Sequence, residues 1–276
     1  MNIRRIITIS RPRFWSYLAG PYLIGYVLVA SSVKDFYSFP FLYSVFYFLL
    51  PANFFLYGIN DYFDRKIDRV NPRKKTHESI VESHESTTVL NFVLISLIFA
   101  MPMWAFLNPY ALSILFCFLL LGAFYSAPPI RLKTIRFFDS FSNILYILPG
   151  LLGYAQLLPD IVSFSNLLYL ACWPIAMHLF SAIADIDADK KANIQTTATY
   201  LGRTKGLLAC LVLWVVFAAY VTSIDDLYVF SFVYPSIPLY LLYHREVKIE
   251  RLYWKFPMLN TLIGAALFLY LYMSKF

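Results

Sequence analysis

Phe39-Pro40-Phe41-Leu42-Tyr43-Ser44-Val45-Phe46-Tyr47-Phe48-Leu49-Leu50-Pro51-Ala52-Asn53-Phe54-Phe55-Leu56-Tyr57-Gly58-Ile59-Asn60 carries no charged side chain from end to end. Wound as an α-helix at about 1.5 Å per residue, such a run crosses a hydrocarbon core roughly 30 Å thick. The same pattern recurs on both sides of it. Apolar runs at 14–33, 38–60, 88–107, 110–127, 138–158, 164–184, 206–224, 226–243 and 256–274 predict nine transmembrane helices. The 276 residues are 60% hydrophobic and only 14% charged, against about 25% charged in soluble domains, which excludes a soluble core. A spanning β-barrel needs short segments of alternating polarity, whereas these runs are apolar on all sides and interrupted by Pro and Gly, which membrane helices tolerate. The expected fold class is all-α: a polytopic membrane helical bundle, with 1–276 as one membrane-embedded domain.

Met1 to Arg13 is polar and basic. The apolar run after it is too long for a signal-peptide core and lacks a small-residue cleavage site, so it is expected to stay as the first helix. All but two of the 23 Lys and Arg fall on one side of this topology, at the amino terminus (Arg4, Arg5, Arg11, Arg13) and in alternate loops. Lys34 and Lys275 fall on the other, with Asp35, Asp160, Asp225 and Asp226. Basic loops stay in the cytoplasm, which predicts a cytoplasmic amino terminus. The net charge of +7 then belongs to one face, where orientation and attraction to anionic membrane lipid account for it without nucleic acid. Cys117, Cys172 and Cys210 lie inside spans with no paired spacing and read as small buried apolar residues.

Of only 16 acids, six stand in two short segments on the cytoplasmic side. The first, Asn60-Asp61-Tyr62-Phe63-Asp64-Arg65-Lys66-Ile67-Asp68, follows the second span. If helix continues at about 100° per residue, Asn60, Asp61, Asp64 and Asp68 share an arc of about 100°. The second, Asp185-Ile186-Asp187-Ala188-Asp189, closes the sixth span, with Asp185 and Asp189 stacked four apart and Asp187 turned away. Carboxylates gathered at a membrane boundary repel one another and resist desolvation, so they need cations. Magnesium prefers oxygen ligands and completes its shell with water and phosphate, making Asn60, Asp61, Asp64, Asp68, Asp185 and Asp189 candidate metal ligands and a diphosphate the candidate substrate. The bland alternative is a pair of solvated helix ends in surface ion pairs with Arg65, Lys66, Arg69, Lys190 and Lys191.

Basic groups for the diphosphate lie on the same side: Arg11 and Arg13 entering the first span, and Arg131 and Lys133 after Tyr125-Ser126-Ala127-Pro128-Pro129-Ile130. Arg grips phosphate bidentately and Lys as a point charge. Tyr57, Tyr62, Tyr125 and Tyr146 are candidates to face a carbocation, though among 22 Tyr and 26 Phe most rings serve packing and the interface. His178, two turns before Asp185, is a candidate proton acceptor or a packed histidine; His77, His84 and His244 read as surface loop residues.

These residues resemble the UbiA superfamily of intramembrane prenyltransferases. The first signature of that family is similar to Asn60, Asp61, Asp64 and Asp68, and its second to Asp185 and Asp189 with Thr196-Thr197 and Leu201-Gly202 following. Tyr125-Ser126 to Arg131-Leu132-Lys133 resembles its loop after helix four, and Arg11-Pro12 its entry into helix one. Asn193 stands where members commonly carry Gly. The stretch from Arg11 to Pro21 looks like the opening of lycopene-elongase-type members. The resemblance implies magnesium-dependent prenyl transfer from an allylic isoprenoid diphosphate to a lipophilic acceptor from the bilayer, such as lycopene. It also implies catalytic roles for Asp64, Asp185, Arg131 and Lys133, and diphosphate binding by Arg11, Asn60, Tyr125, Arg131 and Lys133. The site would face the cytoplasm of a bacterial or archaeal inner membrane. Other readings left open are transfer to an aromatic or other lipid acceptor, a membrane terpene cyclase, a non-catalytic scaffold, and a cation-coupled transporter. Acids at one face rather than the midplane count against the last.

Overall fold

The computed structural model describes residues 3–68 and 80–276, with side chains from 3–65 and 80–276. The helices are α1 (Ile3–Ile9), α2 (Ser16–Val29), α3 (Phe39–Leu49), α4 (Pro51–Asp68), α5 (Ser86–Ile98), α6 (Pro109–Ser126), α7 (Phe138–Phe141), α8 (Leu148–Leu157), α9 (Phe164–Ile183), α10 (Ile186–Lys191), α11 (Thr197–Ile224), α12 (Val233–Tyr243), α13 (Ile249–Tyr253) and α14 (Phe256–Lys275). No strand occurs among the described residues.

Six helical stretches among these residues are long and apolar enough to cross a membrane: Phe39–Arg65, Ser83–Ala105, Pro109–Ser126, Phe164–Ile183, Thr197–Ile224 and Ile249–Lys275. Phe116, Val212, Leu262 and Leu269 stand exposed along them, a surface suited to lipid rather than water. The runs expected at 14–33, 138–158 and 226–243 are helical but shorter or broken. In the second of these, α7, a 3₁₀ turn over Ser142–Tyr146, and α8 follow one another. Pro149 fits the first turn of α8, where its missing N–H has no helical partner to lose.

The chain forms two compact units. The first comprises 1–130, 148–161 and 257–276. A close seam runs between α2 and α8: a Cβ on Gly25 would overlap the carbonyl oxygen of Gly150, so only glycine permits this approach. Along the same seam the buried Tyr22 hydroxyl donates to Gln156 Oε1 at 3.0 Å, and Ser44 Oγ of α3 donates to the same oxygen at 3.3 Å. α14 joins through Asn260 Nδ2, which donates to the Tyr17 hydroxyl at 2.8 Å. Lys275 Nζ donates to the carbonyls of Val27, Leu28 and Ala30 at 3.1, 2.6 and 3.2 Å. Val27 and Leu28 lie in the last turn of α2 and Ala30 caps it; carbonyls there lack helical donors and carry the negative end of the helix dipole.

The second unit comprises 131–147 and 162–256. α9 and α11 form its spine, with Trp214 fully buried between Phe180 (ring centroids 5.7 Å), Phe256 (5.8 Å) and Tyr234 (5.9 Å). Gly202, with φ at 69°, interrupts the helical backbone within α11.

Candidate functional site

In the first unit, α4 continues without a break through Asp68, so the helical arc expected for Asn60, Asp61 and Asp64 is realised in the backbone. The side chain of Asp68 lies outside the described residues, as does the whole of His77. Asp61 and Asp64 are 3% and 7% exposed. Carboxylates in the last turns of a helix oppose its dipole as well as each other, and burial adds to the cost. Arg11 answers part of it: its Nη2 donates to Asp61 Oδ1 at 2.7 Å, and its guanidinium lies 4.6 Å from the centroid of the Tyr57 ring, one turn earlier on α4. Asn60 Nδ2 donates to Ser126 Oγ at 3.1 Å. That bond ties the first acidic segment to the end of α6, beside Tyr125.

In the second unit the expected continuous helix is corrected. α9 ends at Ile183, and Asp185 becomes the residue preceding α10. The dipole supplies the reason: one continuous helix would set Asp185, Asp187 and Asp189 against its negative end, whereas a fresh start places the latter two in the first turn of α10 and Lys190 and Lys191 in its last. Asp185 and Asp189 keep their one-turn spacing, since the Asp189 N–H donates to the Asp185 carbonyl at 2.8 Å. Asp187 is exposed, while Asp185 and Asp189 are half-buried. Thr196 Oγ1 donates to Asp189 Oδ2 at 3.3 Å. Asn193 takes φ of 60°, the left-handed backbone that Asn adopts more readily than other non-glycine residues.

Arg131 precedes a 3₁₀ turn over Leu132–Thr134 that carries Lys133. Arg131 and Arg11 have φ of 50° and 52°, a left-handed conformation costing roughly 1–3 kcal/mol at a non-glycine residue and concentrated at functional sites. His178 lies in α9, with Nε2 4.0 Å from Oδ2 of Asp139. Asp139 is completely buried and was not among the expected site residues. Its signal was an acid at the opening of an otherwise apolar run, between Phe138 and Ser140.

Among the described residues no three His, Cys, Asp or Glu side chains stand together as a ready metal cluster. The named donors are nevertheless all oxygens, carboxylate or amide, which suits magnesium and not a thiophilic metal. Two carboxylates withdrawn from water three residues apart also fit a site that a divalent cation shares.

The pattern of the UbiA prenyltransferase family matches residues 18–253 of this chain. The chain belongs to the UbiA prenyltransferase family. A lycopene elongase/hydratase of Halobacterium salinarum is 39% identical over 270 residues, covering 95% of this chain and 94% of that protein. A lycopene elongase/hydratase of Corynebacterium glutamicum is 27% identical over 278 residues, covering 96% of each. The fold is similar to that of a UbiA homolog from Archaeoglobus fulgidus, solved bound to GPP and Mg2+, with a TM-score of 0.76 at 18% identity, covering 98% of this chain and 99% of that one. The all-helical membrane architecture and the prenyltransferase class are thus those of the UbiA family.

Proposed function

We propose that this UbiA-family enzyme transfers a prenyl group from an allylic isoprenoid diphosphate to a carotenoid, with lycopene the best candidate. The observation that carries the reading is 39% identity along 95% of the chain to a relative named lycopene elongase/hydratase. The whole chain, 1–276, acts as one domain with nine spans and a cytoplasmic amino terminus. Its site opens to the cytoplasm of a bacterial or archaeal inner membrane. The donor diphosphate arrives from that side, the acceptor enters from the bilayer beside membrane lipid, and nucleic acid plays no part.

Asn60, Asp61, Asp64 and Asp68 on α4, with Asp185 and Asp189 flanking the start of α10, would hold magnesium. When bound, magnesium supplies Lewis-acid neutralisation of the diphosphate, which lets the allylic carbon–oxygen bond ionise. Asp64 and Asp185 are the carboxylates on which that step depends. Arg131 and Lys133 hold the departing pyrophosphate oxygens, stabilising negative charge as it develops. Arg11, braced by Asp61 and Tyr57, and Tyr125, beside the Asn60 to Ser126 bond, complete the diphosphate's surroundings. The electron-rich acceptor carbon then attacks the allylic cation, and proton loss or capture of water ends the reaction.

Detergent-purified protein with magnesium, labelled dimethylallyl diphosphate and lycopene should form labelled lipid, reduced by about 10²-fold or more in Asp64→Ala and in Asp185→Ala. Product with an aromatic acid in place of lycopene would move the chain to an aromatic-acceptor branch. No product with any acceptor from a folded protein would overturn prenyl transfer.

A further inference from the structure

Outside the residues already assigned, the second unit holds one completely buried carboxylate, Asp139, and its partners bear directly on the diphosphate-binding loop. Asp139 Oδ2 accepts the Thr197 backbone N–H at 3.0 Å, and Oδ1 accepts the Thr197 hydroxyl. The same hydroxyl accepts from the N–H of Phe137 at 2.8 Å. Phe137 is held at φ of 69°, a conformation that a bulky residue keeps only when its surroundings enforce it. One residue earlier, Arg136 Nη2 donates to Gln195 Oε1 at 3.3 Å, and its guanidinium lies 4.2 Å from the centroid of the Tyr200 ring. The loop carrying Arg131 and Lys133 is therefore pinned to residues 195–200 through hydrogen bonds, a ring contact and a buried charge.

Those residues also grip the second aspartate motif. Thr196 donates to Asp189 while its neighbour Thr197 donates to Asp139. Adjacent threonines at the start of α11 thus face in two directions, one toward a candidate metal ligand and the other toward the anchor of the basic loop. The α11 dipole favours the Asp139 carboxylate, since its first N–H groups need acceptors. His178, 4.0 Å from Asp139 Oδ2, is the nearest titratable group on α9.

The geometry points to Asp139 and Thr197 as positioning residues that hold Arg131 and Lys133 in register with Asp185 and Asp189. This role rests on the proposed diphosphate chemistry, and it differs from packing because the strap joins two sets of substrate-facing charges. Supporting hydrogen bonds of this kind usually change affinity or activity by about 10–100-fold when removed.

The test uses the full chain in detergent with Thr197→Val, Thr197→Ser and Asp139→Asn. Trypsin cleavage after Arg131, Lys133 and Arg136 is timed against cleavage after Arg245, Lys248 and Arg251, and kcat/KM is measured for donor and for acceptor. Thr197→Val and Asp139→Asn should speed cleavage at 131–136 alone and lower donor kcat/KM by about 10–100-fold, with acceptor KM unchanged and Thr197→Ser close to wild type. Unchanged cleavage at 131–136 would overturn the proposal, as would equal acceleration at both loops or a Thr197→Ser variant no better than Thr197→Val. A wild-type chain that transfers no prenyl group would remove the reaction assigned above, while the cleavage comparison would still decide whether the strap exists.

Discussion

Two glycines of α2 give a matched test of how closely that helix approaches α8. Alanine is favoured over glycine within a helix by about 1 kcal/mol. At Gly20 nothing lies within 4 Å of the position a Cβ would take, so Gly20→Ala should keep that gain. At Gly25 the new carbon would overlap the Gly150 carbonyl oxygen, a backbone atom that cannot swing aside as a side chain can. The helices would have to part by roughly an ångström or more, and forced overpacking costs about 1–3 kcal/mol, the upper end applying where backbone is the obstacle. The Tyr22 to Gln156 hydrogen bond crosses the same seam, and its loss would add about 1 kcal/mol. Gly25→Ala should therefore fall about 2–3 kcal/mol below wild type. At about 2–4 °C per kcal/mol for a chain of this size, its apparent melting temperature in detergent drops by roughly 4–12 °C, while that of Gly20→Ala rises slightly. Variants melting within about 1 °C of each other would refute the close approach of α2 and α8.

Lys275→Ala should cost about 1–2 kcal/mol by stripping charged donors from the end of α2, with faster amide exchange in α2 as the local check. Asn193→Gly should leave stability near wild type, whereas Asn193→Val should lose about 1–2 kcal/mol by chemical denaturation, because a β-branched residue fits φ near 60° poorly. Removing magnesium with a chelator should abolish labelled-lipid formation and adding it back should restore it; transfer that persists in excess chelator would contradict the oxygen-ligand reading of the two motifs.

Six of the nine expected runs coincide, among the described residues, with helical stretches long and apolar enough to cross a membrane, because absence of charge is written locally. Phe39 to Asn60 declares a membrane-crossing stretch by lacking charge, although the helix breaks at Leu50 and Pro51 opens α4 as a second one; the spacing of Asn60, Asp61 and Asp64 declares a shared face because α4 persists through Asp68. The expected end of the sixth span at 184 lies one residue from the end of α9 at Ile183; what apolar patterning does not reveal is the new helix that follows, which three aspartates ahead of two lysines suit. Asn193, where the family resemblance implies Gly, takes a left-handed backbone that both residues accommodate. Asp139 and Arg136 were not legible as anchors, since their partners lie 58 and 59 residues away and no local period points to them. The break in the run at 138–158 was likewise invisible, because residues 138–157 are uniformly poor in charge and the separate elements there leave no local signature.

The first unit is assembled from three separated pieces of chain, the last being 257–276. A ribosome working at about 5–20 residues per second finishes residue 130 roughly 6–25 s before it reaches residue 257. During that interval Ser16, Tyr17 and the carbonyls ending α2 wait for Thr261, Asn260 and Lys275. The pairing of α2 with 257–276 accordingly waits on chain made long after residue 130, and the membrane-insertion machinery must tolerate an open first segment for that time. Removing residues 257–276 would strike α2, made far earlier in synthesis, as directly as a mutation within it.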